Sequence, residues 1–300
     1  MSRMLDKSLY VVVAVLMGGV ITGPAAGQDE ASRAADGRQI EFREDVEYGT
    51  GGEQELLLNL ALPEQIEKPL PGLIFIHGGG WSGGNKESFD AFVRQAATQG
   101  YVAVTMSYRL APKHPFPAQI EDCKCAVRWL RAHAEELGAD PERIGAVGAS
   151  AGAHLAMMLG AMNSDDGLEG DGGWAEQSSK VQTVVSFAGP TDLTVDLPPA
   201  ADRVLFDFIG GTLDAEGDMY REASPVTYVN RRDATMLLFH GTADEIVPYE
   251  QAFLMATALT RAGVRGRVEL LIGAGHGWGG DEMQASEHAM WAFLEQWLKK

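Results

Sequence analysis

Gly148-Ala149-Ser150-Ala151-Gly152 sets a serine in a G-x-S-x-G frame, the pattern that carries a hydroxyl nucleophile on a sharp turn between a strand and a helix. Gly80-Trp81-Ser82-Gly83-Gly84 is a second formal match, so the flanking sequence has to decide between the two. Such a corner needs a strand running directly into it and a helix directly out of it, because the strained turn lifts the hydroxyl off the sheet. Arg143 to Val147 reads as that strand, and Ala151, His154, Leu155, Ala156, Met157 and Leu159 open a strong helix. Small residues two positions either side of Ser150 let strand and helix close around the corner. Five residues separate Ser82 from its strand, and it stands in a Gly-rich loop whose helix starts near Ser88. Ser150 is therefore the candidate nucleophile.

A serine that attacks a carbonyl creates an oxyanion, which needs backbone N–H donors at about 3 Å. His77-Gly78-Gly79-Gly80-Trp81 ends the first buried strand, and glycines let the main chain approach without a Cβ in the way. Gly79 and Gly80, with Ala151 at the start of the helix, are the expected donors. The hydroxyl also needs a base and an orienting acid. Of seven histidines, His133, His154 and His288 fall in predicted helices and read as structural. His77 and His240 end strands before glycines and read as loop braces, while His114 lies outside these motifs. His276, in Gly275-His276-Gly277-Trp278, follows the last strand with freedom to reach Ser150. Asp244, in Gly241-Thr242-Ala243-Asp244, follows the preceding strand at the same sheet edge, with Asp192 and Glu245 as the other candidates. The order Ser150, Asp244, His276 is the one that this architecture uses.

Positioning these residues takes a sheet whose strands all end near one edge. Short apolar runs occur at Leu73–Ile76, Val102–Met106, Ile144–Val147, Val181–Phe187, Met236–Phe239 and Val268–Ile272, as strands buried on both faces should. Helical stretches at Phe89–Gln99, Gln119–Leu137, Ala151–Met162, Tyr249–Arg261 and Asp281–Leu298 alternate with them. The alternation predicts an α/β fold with a mostly parallel sheet and helices on both faces. Glu41–Tyr48 and Leu56–Ala61 flank a Gly-Thr-Gly-Gly turn and predict an antiparallel hairpin at one edge. Two segments interrupt the pattern. Residues 163–180, rich in Asp and Gly, read as a solvated loop rather than a calcium loop, since they lack the ligand spacing and terminal Glu of an EF-hand. Residues 193–229 carry Leu205, Phe206, Phe208 and Ile209 and read as a lid or cap-like insert. Trp81, Trp278 and this insert are candidate pocket walls, although aromatics there serve equally well as core.

The chain has 300 residues, with 45% hydrophobic and 22% charged, which excludes disorder and fits one large catalytic unit over residues 40–300. Its net charge of −18 repels phosphate backbones at long range and argues against nucleic acid as a partner. Arg3 and Lys7 precede the apolar run Leu9–Val20 and the small residues Ala25, Ala26 and Gly27, as in a secretory signal cleaved near Gly27. The run is too short to span a bilayer comfortably, so export without stable membrane association is expected. Residues 28–39 read as a flexible lead-in. Cys123 and Cys125, two apart on a helix, point in different directions and are expected to remain unpaired.

HGGGW, the YRLAP run at Tyr108–Pro112 followed by FPAQIED, DPERI before GASAG, then GTAD and GHG, together resemble the α/β-hydrolase fold. Within it they resemble HGGG-type carboxylesterases close to exported bifunctional feruloyl and acetyl xylan esterase-like (BD-FAE-like) enzymes, over about residues 40–298. The resemblance implies a carboxylic-ester hydrolase that uses no cofactor or metal and acts on small-molecule or carbohydrate esters. Ser150 would be its nucleophile, His276 its base and then its acid, and Asp244 the orienter. The same constellation also serves amide hydrolases such as arylformamidases and peptidases, and a catalytically silent binding module is the competing reading from another class. Ala153, where many relatives carry a further glycine, is a departure that bears on helix packing.

Overall fold

The computed structural model describes residues 39–300, so the expected signal at 1–27 and nearly all of the lead-in lie outside the described residues. Among the described residues eight strands form one sheet: β1 (Ile40–Gly51), β2 (Gln54–Pro63), β3 (Leu70–Ile76), β4 (Val102–Met106), β5 (Ala139–Ala149), β6 (Thr183–Phe187), β7 (Thr235–Gly241) and β8 (Gly266–Leu271). Their spatial order is β1-β2-β4-β3-β5-β6-β7-β8. β1 and β2 are the expected antiparallel hairpin, and β2 also pairs antiparallel with β4. Every other pairing is parallel, which brings the ends of β3, β5, β7 and β8 to one edge.

The helices are α1 (Asp90–Thr98), α2 (Ala118–Ala132), α3 (Ala134–Leu137), α4 (Ala151–Ala161), α5 (Pro199–Ile209), α6 (Leu213–Glu222), α7 (Glu250–Ala262) and α8 (Gly280–Leu298). Side chains alternate across a strand, so each central strand feeds two cores. Leu73, Phe75, Val185, Leu237 and Phe239 pack with α1 and α8 on one face. Ile74, Ile76, Val184, Met236 and Leu238 pack with α2, α4, α7 and the insert on the other. Strands apolar on both sides are the reason these runs lack polar alternation.

Three sequence expectations need correction. The helix expected over Gln119–Leu137 is two helices, because His133 leaves helical geometry (φ −96°, ψ 11°) and its Nδ1–H donates to the Trp129 carbonyl at 2.8 Å. The ring is held 4.7 Å from both Trp129 and Trp174, and this packing sets the break. Residues 163–180 contain one short 3-10 turn and are anchored rather than merely solvated. Glu169 accepts from Lys124 Nζ at 3.0 Å and Arg128 Nη1 at 2.7 Å, and both cations are almost wholly buried on α2. The strand before Ser150 starts earlier than expected, at Ala139.

The insert at 193–229 folds as α5, α6 and a 3-10 turn, Pro225–Tyr228, over the loop that follows β3. Phe208 of α5 stacks on Trp81 with centroids 4.1 Å apart. Cys123 and Cys125 are both free and buried. Among the described residues no helix is long and apolar enough to cross a membrane.

Candidate active site

Ser150 is the only residue between the last position of β5 and the first of α4, and it has φ 53° and ψ −120°. A serine in this region is strained, as a nucleophile corner requires. Its N–H continues the sheet ladder to the Phe187 carbonyl at 2.8 Å, and its own carbonyl accepts the first helical bond from His154 at 3.0 Å. The corner closes only because its flanks lack side chains. A Cβ on Gly148 would overlap the Gly152 carbonyl, and one on Gly152 would overlap the carbonyl oxygens of Ile76 and His77. Ala153 is fully buried against Gly189 and leaves α4 regular, so the departure costs the helix nothing visible.

The imidazole comes from the loop after β8 and the carboxylate from the loop after β7, and main-chain bonds tie these loops together. Thr242 N–H donates to the Leu271 carbonyl at 3.0 Å, Ala243 N–H to Ala274 at 2.8 Å, and Gly273 N–H to Thr242 Oγ1 at 2.8 Å. His276 Nδ1 then lies 2.8 Å from Asp244 Oδ2, and His276 Nε2 lies 2.8 Å from Ser150 Oγ. A carboxylate only accepts, so the ring proton is on Nδ1 and Nε2 is left to take the serine proton.

Asp244 has no exposed side-chain surface. Burial alone would raise its pKa. Hydrogen bonds from His240 and His276 outweigh it, with the Val247 N–H adding to them, and hold the carboxyl well below the usual carboxylate range. Its Oδ1 accepts the Ile246 and Val247 N–H groups, both at 2.9 Å. His240 braces the same loop, as expected, through Nε2–H to the Val247 carbonyl at 2.8 Å. It also stands 3.4 Å from Asp244 Oδ2, which sequence alone did not indicate. Asp192 and Glu245 are excluded as the partner of His276: Asp192 Oδ1 accepts from Thr194, and Glu245 points into solvent.

The loop after β3 turns through left-handed residues, with φ 117° at Gly79, 58° at Gly80 and 56° at Trp81. Ser82 N–H and Gly83 N–H both donate to the Gly79 carbonyl, at 3.2 and 3.0 Å. The N–H groups of Gly79 and Gly80 donate no hydrogen bond among the described residues. Ala151 is the first residue of α4, where an N–H has no helical partner. A Cβ on Gly78 would come within 3.2 Å of Ser150 Cβ, so this loop begins directly against the serine. Gly79 and Gly80 thus carry unused donors on a loop that begins against the serine, and Ala151 carries a third at the start of α4, the kind of donor that an oxyanion site requires.

Trp81 is 4% exposed and packs beneath α5, so it is core and not an open pocket wall. Trp278 is half-buried, with its indole N–H on Ser286 Oγ at 3.1 Å. His154 is wholly buried with both ring nitrogens engaged. His77 stacks on Tyr108 at 4.2 Å with Nδ1–H on the Gly78 carbonyl. His114 lies in the loop before α2, where its carbonyl accepts from Gln119, and His288 lies on α8; the described hydrogen bond to Ser150 Oγ is that of His276.

Comparison with known proteins finds esterases among those that resemble this chain in sequence and fold. Esterase LipC of Mycobacterium tuberculosis is 34% identical over 240 residues, which are 76% of this chain and 59% of LipC. The chain spans roughly half the length of the curated relatives it matches. A butyrate-bound thermophilic esterase, Est2 of Thermogutta terrifontis, superposes with a TM-score of 0.72 at 29% identity, covering 84% of this chain and 93% of that one. A truncated carbohydrate esterase from gut microbiota shares the fold, with a TM-score of 0.75 at 24% identity over 90% of this chain and all of that one. The BD-FAE family profile matches residues 58–259, and the chain accordingly belongs to the BD-FAE family within the α/β-hydrolase fold.

Proposed function

We propose that the protein is a serine carboxylesterase that works through an acyl-enzyme. The unbroken chain from Ser150 Oγ to His276 to the buried Asp244 is the observation that carries this reading. His276 Nε2 takes the hydroxyl proton as Oγ attacks the ester carbonyl. The N–H groups of Gly79, Gly80 and Ala151 hold the oxyanion. His276 returns the proton to the leaving alcohol. Water then attacks the acyl-enzyme by the same route, releasing the acid and free Ser150. Nothing in these steps calls for a metal or an organic cofactor.

Membership of the BD-FAE family supports acetyl or feruloyl esters of carbohydrates as the substrate class. Likeness to a butyrate-bound esterase supports a short acyl chain. The apolar run within residues 1–27 supports action outside the cytoplasm. The test is kcat/KM on acetylated and on feruloylated xylo-oligosaccharides, with Ser150→Ala as the blank. Ser150-dependent turnover of either supports the reading and names the acyl group. Turnover of neither, with small esters equally inert, overturns it.

A further inference from the structure

Trp81 follows Gly80 directly and holds φ 56°, a backbone region that a bulky residue adopts only when its surroundings enforce it. The enforcing contacts are specific. Phe208 stacks on one face of the indole at an interplanar angle of 11°. Ala111 N–H donates to the Trp81 carbonyl at 3.0 Å. The indole Nε1–H donates to Nδ1 of His154 at 3.3 Å. His154 Nε2–H in turn donates to the Ala223 carbonyl, at the end of α6, at 2.6 Å.

We infer that His154 is a positioning residue, which fixes the oxyanion loop relative to the nucleophile by anchoring Trp81 to the helix that begins at Ser150. The inference rests on the ester-hydrolase reading. His154 lies one helical turn past Ser150, on the helix whose first N–H completes the expected oxyanion site, so it is rigidly related to the hydroxyl. Its ring joins three segments at one point: the oxyanion loop, the corner helix and the exit of the insert. The tautomer is dictated, because a carbonyl demands a proton on Nε2 and the indole demands a lone pair on Nδ1. Burial pushes its pKa down to about 4, so the ring remains neutral and keeps that lone pair at neutral pH. Loss of the anchor frees the loop to relax toward ordinary φ values and carries the Gly79 and Gly80 donors away from the developing oxyanion.

The test is kcat and KM on p-nitrophenyl acetate for the wild type, Trp81→Phe, His154→Leu and the double variant, with thermal melts run alongside. Trp81→Phe keeps an aromatic ring against Phe208 while removing the N–H and part of the indole's volume, so it remains informative should His154→Leu fold poorly, and the double variant separates the lost bond from the lost packing. The expected result is a kcat loss of about 10- to 100-fold in each single variant, KM within about threefold, and no further loss in the double variant. Trp81→Phe with kcat within about twofold of wild type, or losses that multiply in the double variant, overturns the inference. A purely structural role would lower the melting temperature and leave kcat at 25 °C in place. Absence of Ser150-dependent turnover in the wild type refutes the underlying reading instead. The anchor itself is then judged by exchange of the Trp81 indole proton, which is slow in the wild type and fast in His154→Leu if the bond exists, and equal in both if it does not.

Discussion

His276 Nδ1 and Asp244 Oδ2 are joined at 2.8 Å inside a carboxylate whose other oxygen is filled by two backbone N–H groups. The carboxylate therefore cannot rotate away from the ring, and the ring cannot present its Nδ1 lone pair to Asp244. Asp244→Asn reverses the demand, since an amide N–H turned toward Nδ1 puts the proton on Nε2, where it blocks the serine. The expected loss in kcat/KM is roughly 10³- to 10⁴-fold, with KM little changed. Steady-state kinetics check it, and a loss under tenfold would contradict the orienting role.

Glu169 neutralises two buried cations on α2, Lys124 and Arg128. Glu169→Ala leaves both without a carboxylate, and the destabilisation should be about 3 kcal/mol. A urea midpoint measures it. Activity below the melting range should be unaffected, because Glu169 touches none of the catalytic loops.

The fold was legible because its central strands are apolar on both faces and its helices are periodic. The triad was legible because the corner at Ser150, the glycines at 78–80 and the loops holding Asp244 and His276 each carry a local signature. Pairings that join distant segments were not legible. Nothing near Lys124 or Arg128 points to Glu169 more than forty residues away, and nothing near His154 points to Trp81 or Ala223. His240 was recognisable as a loop brace from its place before Gly241. Its approach to Asp244 depends on the turn that returns Val247 to the strand end.

Gly152 faces the end of β3 so closely that any Cβ would strike backbone oxygens of Ile76 and His77, and backbone cannot swing aside. Gly152→Ala should cost about 3 kcal/mol or abolish soluble expression. A melting temperature equal to wild type would show that the corner has more room than the structure allows.

Burial lowers both His77 and His154 to about 4, while an unfolded histidine titrates near 6.5. Below pH 6.5 the unfolded chain binds protons that the folded chain refuses. The stability that these rings contribute is thus complete above pH 6.5, declines as pH falls toward 4, and levels off below that. Each ring accounts for at most on the order of 3 kcal/mol. Thermal melts from pH 7.5 to 4 should show a falling melting temperature, with a shallower fall in His154→Leu. An equal slope in the two proteins would contradict the neutral, buried state of His154.

The central claim is that Ser150 is a nucleophile activated by His276 and Asp244, and an organophosphate that phosphorylates activated serines tests it most directly. Paraoxon should add one diethylphosphoryl group per chain on the peptide containing Ser150 and abolish p-nitrophenyl acetate hydrolysis in proportion, while Ser150→Ala takes no label and turns over no ester. Label on another residue, or turnover retained by Ser150→Ala, would contradict the account.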